Sequence, residues 1–279
     1  MMKISLLDKV VLARSAKPVS IALASLSFLT IFFQVQDGLR VWTCTMVLVL
    51  IAAIHVREWQ TLERLTDIKV KVDNTLVTVK VGDIFEQKGL KVIAFNEYFD
   101  TVVDDVLIAK SSLNGIFLME KLGDTTIKDL DDRIKRHRFH PDDILDPNPE
   151  RRLGKKKRYR LGTIYRHEDY LLAAFGKFDD RNKAVLTMPQ YLEFMINFWA
   201  NLHSVYAGEN VSTTIMGSGI THISQHRGIS PHELLKIMLW TYRVSETRVA
   251  HPAILSVIVA PDLIDRINFA EIEAATHGL

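Results

Sequence analysis

One cysteine in 279 residues, Cys44, leaves no partner for an intrachain disulfide, so a reducing compartment is the natural home of this chain. Internal repeats are absent, which excludes a solenoid or a propeller. Low-complexity tracts are absent too. Charge is nearly balanced, 35 Lys and Arg against 33 Asp and Glu, and a net charge of +2 says little about partners. The more telling absence is local. From Pro18 to Gln36, and again from Val41 to Val56, no Asp, Glu, Lys or Arg occurs. A bilayer core of about 30 Å takes roughly 17–25 residues of helix. The first run is long enough, and the second is slightly short, with Arg40 and Arg57 placed to snorkel and extend it.

The short break at Asp37-Gly38-Leu39-Arg40 makes the two helices antiparallel, a membrane hairpin spanning about 18–36 and 41–56. A signal peptide would end in a small-residue cleavage site followed by polar mature sequence, not by a second apolar run. A soluble helical hairpin would carry a polar face, whereas Ser25, Ser27, Thr43, Cys44 and Thr45 interrupt these runs without charge. Lys3, Lys9, Arg14 and Lys17 precede the hairpin, Arg57 and Arg64 follow it, and the turn holds only Arg40. The positive-inside rule then puts both termini in the cytoplasm of a multi-pass protein of the bacterial inner membrane.

At 48% hydrophobic content the chain accommodates an N-terminal segment with its hairpin (1–57), a helical linker (58–67) and one domain (68–279). In the linker, Trp59 suits a membrane interface, and either a simple stalk or a rigid rod is compatible with Leu62 and Leu65. Beyond Thr66 the pattern turns to strands: Ile68–Val72 and Leu76–Val81 alternate around an Asp73-Asn74 turn. Lys91–Phe95, Tyr170–Phe175, Val211–Met216 and Ala253–Val259 read as buried strands. Thr187 stands three before Gln190, and Ser230-Pro231-His232-Glu233 is a capping box opening a helix to Val244. This alternation predicts a layered α/β domain with a mixed sheet.

Three loops after predicted strands could carry chemistry. Asp83, in Gly82-Asp83-Ile84, can accept from an exocyclic amine such as that of adenine, or simply bond its own turn. Asn96 follows a buried strand, where open α/β sheets bind ligands, and its amide could donate to and accept from a ribose hydroxyl pair. In Met216-Gly217-Ser218-Gly219-Ile220-Thr221-His222, glycines allow backbone N–H groups to close on an anion.

Four strings, Val79–Phe85, Lys91–Thr101, Ser112-Leu113-Asn114-Gly115 and Met216–His222, together resemble the macro domain of Thoeris anti-phage effectors. The hairpin resembles the membrane-anchored, ThsA-like type II version. The resemblance spans roughly Ile68 to Glu273. It implies a three-layer α/β/α macro fold that binds an ADP-ribose-type messenger, a histidine–ADP-ribose conjugate made by a TIR-domain protein. Binding would drive homo-oligomerisation and membrane disruption to abort infection. Carried over motif by motif, Asp83 and Ile84 would hold adenine, Asn96 the distal ribose, and Gly217, Ser218, Gly219, Ile220 and Thr221 the diphosphate. Glu97, Leu113, Asn114 and His222 complete the implied ligand set. Hydrolytic macro domains carry a glycine run after the asparagine, where this chain has Asp100-Thr101-Val102-Val103-Asp104. That departure favours sensing over catalysis, with no cofactor beyond the messenger.

Between Arg133 and Arg160 there are 11 Lys or Arg against 4 acidic residues. A solvated insertion is the plain reading, and contact with anionic lipid the sharper one. Nucleic acid is disfavoured, because no aromatic platform accompanies the charge. His137 and His140 lack further ligands at zinc spacing, and no base is assignable to Ser204 or Ser218 as a nucleophile. Two competing functions remain beside the sensor: a membrane-tethered ADP-ribosyl hydrolase, and an anchor that recruits ADP-ribosylated proteins.

Overall fold

The computed structural model describes residues 5–32, 37–72, 75–178, 184–219, 222–223 and 229–275, apart from the side chains of 29–41, 222, 223 and 275. It divides into two compact units: Met1–Ile68 with Ile264–Leu279, and Lys69–Leu263. Residues 264–275 therefore group with the N-terminal helices, where the sequence pattern placed them in the second domain.

In the first unit, α1 (Lys9–Phe32) and α2 (Asp37–Glu63) are the two apolar helices. Their stretches Lys9–Phe28 and Trp42–Glu63 are long and apolar enough to cross a membrane. Both begin earlier than the uncharged runs suggest. Helix α1 starts at Lys9 and runs through Pro18, and α2 starts at Asp37, where a break was expected. The reason for the first extension is packing. Val11 on α1, Leu62 on α2 and Ala270 on α7 (Phe269–Ala275) form a small buried cluster flanked by Val10, Trp59 and Leu65. Around it Arg14 reaches Glu58 at 3.4 Å and Glu273 at 3.0 Å. The ring of His55 bonds Ser15 Oγ at 3.0 Å and the Leu6 carbonyl at 2.7 Å. Tertiary contact thus holds the charged start of α1 helical where propensity alone would not.

The second unit is built on a nine-stranded mixed sheet. Its strands are β1 (Asp67–Val72), β2 (Thr75–Val81), β3 (Leu90–Asn96), β6 (Ile164–His167), β7 (Tyr170–Phe178), β8 (Ala184–Leu186), β9 (Val211–Thr214), β10 (His222–Ile223) and β11 (Leu255–Val259). A separate antiparallel pair joins β4 (Ile144–Leu145) to β5 (Arg158–Tyr159). The order is β1-β2-β11-β9-β3-β7-β8-β10, with β6 on β7. The expected Asp73-Asn74 turn lies outside the described residues. From β2 through β11, β9 and β3 to β7 every pairing is parallel. Strands covered on both faces read as continuous apolar runs, and β3 and β11 are buried along nearly their whole length.

Side-chain parity sorts the two helical layers. Ile93 and Phe95 of β3 and Leu172 and Ala174 of β7 pack with Phe117 of α3 (Leu113–Glu120) and Leu130 of α4 (Ile127–Arg136). Phe175, one residue out of that parity, meets Tyr191 and Phe194 of α5 (Met188–Val205) at 6.1 and 4.7 Å between ring centres. An aromatic row continues through Phe198 and Trp199 to Tyr242 of α6 (Pro231–Val244). The result is the three-layer α/β/α arrangement. Capping boxes start α5 at Thr187 and α6 at Ser230, as their sequences specify, and a third at Thr126 and Asp129 starts α4.

His167, at the end of β6, is buried against Phe117. Burial, reinforced by the Arg133 charge and opposed by that of Glu168, lowers its pKa below the ordinary 6.5. The native state therefore keeps His167 neutral while the unfolded chain protonates, so its contribution is intact above pH 6.5 and is lost as pH falls through the depressed native value. Urea midpoints should decline on acidification below pH 6.5, and His167→Phe should make that decline shallower. An unchanged slope in the variant would assign the acid sensitivity to other groups.

Candidate functional site

Parallel pairing brings the carboxyl ends of β2, β11, β9, β3 and β7 to one edge, where open α/β sheets bind ligands. A cavity of about 830 Å³ opens there, within the size range of small-molecule sites. It is lined by Gly82, Asp83 and Ile84 after β2, Asn96 closing β3, Gly217, Ser218 and Gly219 after β9, and Pro261, Asp262 and Leu263 after β11. Leu113 and Asn114 at the start of α3 and the loop 105–109 complete the wall with Phe175, Gly176 and Phe178 of β7.

Asp83 is exposed and caps a 3-10 turn at Ile84–Glu86, its Oδ1 accepting from the Phe85 N–H at 2.9 Å. This leaves Oδ2 for a ligand donor, so the turn role and the binding role are compatible. Ile84 is buried beneath it. The glycine loop is a tight turn about one carbonyl: the Ser218 N–H and hydroxyl both donate to Ile215 O, at 3.2 and 2.7 Å. Gly217 takes φ +85°, a region that L side chains rarely occupy. Beneath the turn, the Tyr191 hydroxyl donates to Met216 O at 2.9 Å, fixing the loop to α5.

Asn96 sits where the β3–β7 register shifts between Phe95 and Asn96, a bulge that re-aims the chain at the sheet edge. Its Oδ1 accepts from the Tyr98 and Asp100 N–H groups at 3.0 and 3.2 Å, and its Nδ2 donates to Asp100 Oδ2 at 3.0 Å. Both acceptor sites are therefore occupied, and a ligand can take only the second amide hydrogen. The donate-and-accept arrangement expected from sequence is not the one the fold builds. Glu97 turns away from the cavity: its carboxylate meets Arg158 at 3.3 Å and its carbonyl takes the Tyr159 N–H at 2.8 Å. Ile220 and Thr221 lie outside the described residues, and of His222 only the backbone, in β10, is described.

Asp100 organises the whole segment. Buried to 1% exposure, it takes Arg151 through both oxygens, at 3.2 and 2.6 Å, and the Lys155 N–H at 2.8 Å. The Arg151 guanidinium lies 3.7 Å from the Tyr98 ring centre. Lys155 Nζ adds Asp131 at 2.5 Å and the Phe99 carbonyl. Phe99 itself is fully buried with φ +49°, a conformation that such over-determination sustains. Three cations of the basic segment thus bind acidic residues of the domain, so that segment is anchored rather than a solvated insertion.

The loop 105–109 and the residues after β11 escaped the sequence reading. Asp104 and Asp105 staple the former: Leu107 and Val106 N–H groups hold the Asp104 carboxyl below the usual range, and the Lys110 N–H does so for Asp105. Pro261-Asp262 follows a strand as plainly as Gly82-Asp83 does, and that position was the available signal.

Chemically, the cavity pairs apolar walls with exposed carboxylates and a glycine turn. Neither Lys, Arg nor His is among its described lining residues. An anion here would be held by N–H groups rather than by ion pairs. The Ser218 hydroxyl, the one hydroxyl of the described glycine turn, is committed to Ile215 O.

A family model described as the macro domain of Thoeris protein ThsA matches residues 77–260. Thoeris protein ThsA of Bacillus amyloliquefaciens (strain Y2) is 38% identical over 224 residues, covering 77% of this chain and 73% of that protein. Among solved structures, the Oceanobacillus iheyensis macrodomain with ADP aligns with a TM-score of 0.41 at 14% identity, over 76% of this chain and 95% of that one. The same macrodomain with MES bound aligns at 0.40 and 14%.

The Asp100 arrangement has an energetic consequence. Asp100→Asn would leave Arg151 buried without a counter-charge, a loss of about 3–5 kcal/mol for a pair of this kind. Urea denaturation followed by intrinsic fluorescence should show that loss. A change below about 1 kcal/mol would mean that Arg151 finds water and the pair is not structural.

Proposed function

The chain belongs to the Thoeris ThsA macro-domain family, and on that footing we propose that it is a membrane-anchored anti-phage effector that binds an ADP-ribose-type messenger in the cavity at the carboxyl edge of its sheet. The observation that carries this is the convergence of Asp83, the Asn96 amide and the Gly217–Gly219 turn on one cavity of about 830 Å³. Each matches a part of the ligand: a carboxylate oxygen for an exocyclic amine, one amide donor for a ribose hydroxyl, and the glycine N–H groups on either side of Ser218 for a diphosphate. The messenger is the histidine–ADP-ribose conjugate of a TIR-domain partner. The reading is of binding without turnover, because the one serine in the glycine turn is spent on a carbonyl and the Asn96 side-chain oxygen is taken by two N–H groups of its own loop.

The output is membrane disruption by assembled hairpins of α1 and α2 in the bacterial inner membrane, with both termini cytoplasmic. A single pair of helices cannot line a water-filled path, whereas several pairs together can. Ligand binding therefore drives homo-oligomerisation. A tethered hydrolase is the second reading, and many turnovers of an ADP-ribosyl conjugate by purified protein would establish it instead.

Gly219 provides a clean probe of recognition. Its backbone is outside the glycine-favouring region and a Cβ there meets nothing within 4 Å, so Gly219→Val folds while placing a branched side chain beside the anion-binding turn. ADP-ribose affinity should fall at least tenfold, about 1.4 kcal/mol. Unchanged affinity would remove this turn from the site.

Leu26, in the middle of the uncharged run 18–36, probes the output. An arginine there opposes insertion by roughly 2.5–3.5 kcal/mol. Cells carrying Leu26→Arg should retain messenger binding yet resist permeabilisation when messenger is supplied. Full toxicity from that variant would separate the hairpin from the effect.

A further inference from the structure

The basic segment consists of two stretches, 133–138 and 151–160, separated by 139–150, which holds no Lys or Arg, and the two meet in the fold. Lys157 Nζ lies 5.9 Å from the Phe139 ring centre and 5.1 Å from that of Tyr159, and Lys155 reaches Asp131 on α4. With Arg151, Lys155 and Arg158 committed to Asp100, Asp131 and Glu97, Arg152, Lys156 and Lys157 are exposed cations of the second stretch, Lys156 Nζ donating to Pro149 O; Arg133, Lys135, Arg136 and Arg138 are exposed on the first.

Within the second stretch, Arg152, Leu153 and Gly154 form a short exposed finger. Asp100 holds both ends of its base, through the Arg151 guanidinium and the Lys155 N–H. Gly154 makes the turn at φ +83°, where a Cβ would lie 2.6 Å from Asp100 Oδ1. The apex is Leu153, 50% exposed, with Arg152 before it. An exposed leucine on a braced turn, flanked along the chain by the exposed Arg152, Lys156 and Lys157, is the pattern of an interfacial membrane contact, the tip entering between acyl chains while the cations meet anionic head groups. A nucleic-acid surface would instead present exposed aromatic faces, and here Phe139 is half-buried and Tyr159 buried.

We propose that the Arg152–Gly154 finger and its surrounding cations form a docking surface for anionic phospholipid. Because the same chain carries two helices long enough to span a bilayer, a bilayer is always within tether range, and this surface needs only weak intrinsic affinity to be occupied. The inference rests on the membrane reading of α1 and α2 but not on messenger binding.

Limited trypsinolysis of the full chain, reconstituted in vesicles, tests it. The readout is the rate of cleavage at Arg152–Leu153 divided by that at the exposed Lys88–Gly89 bond, which corrects for orientation in the vesicle. Replacing pure phosphatidylcholine by a mixture with about 30% phosphatidylglycerol should lower this ratio roughly tenfold, and about 0.5 M NaCl should restore it. Leu153→Asp should abolish most of the protection, as should Lys156→Glu combined with Lys157→Glu, both at exposed positions where folding is insensitive. Equal ratios in the two lipids, or protection that survives salt and both variants, would overturn the proposal. So would stronger protection of the same bond by a short nucleic-acid duplex at equal salt, which would make the surface one for polynucleotide. Failure of insertion itself would appear as free, unreconstituted protein and would overturn the membrane reading of the hairpin.

Discussion

Parallel pairing is the constraint from which the functional architecture follows. Five neighbouring strands, β2, β11, β9, β3 and β7, run in one direction, so every link between them crosses over a face of the sheet. Their carboxyl ends then share an edge. Loops that are distant in sequence, those after Val81, Asn96, Thr214 and Val259, necessarily open onto a single cavity. Reversing one of these strands would move its loop to the opposite edge and dismantle the site.

The edge is not left to loop flexibility. Asp100 ties the turn after Asn96 to Arg151 and Lys155, Asp104 and Asp105 staple the next loop, and Tyr191 anchors the glycine turn from the helical layer. Desolvating a charged pair such as Asp100–Arg151 costs about as much as the attraction returns, so its value lies in the geometry it imposes. It sets the cradle beside the cavity on one side and the base of the Leu153 finger on the other.

Much of this was legible in the chain. Apolar runs marked the strands, and Thr187–Gln190 and Ser230–Glu233 announced their helices because capping is a local code. Loops following predicted strands pointed to Asp83, Asn96 and the glycine turn for the same reason. What remained hidden depends on long-range contact. Asp100 and Arg151 are 51 positions apart, and no local pattern pairs them. The early start of α1 at Lys9 depends on Leu62 and Ala270, so the charge pattern alone put the helix start too late. Asn96 was legible as a site residue but not in its bonding, since its carbonyl is claimed by the backbone of its own loop.

Hydrogen–deuterium exchange of the full chain with and without ADP-ribose tests the central claim most directly, because it reports which backbone N–H groups the ligand covers. Ligand bound at the carboxyl edge of the sheet slows exchange at 82–84, 217–219 and 262–263 and leaves the distal end of the sheet unchanged. Protection confined to other segments, or none at millimolar ligand, would contradict it.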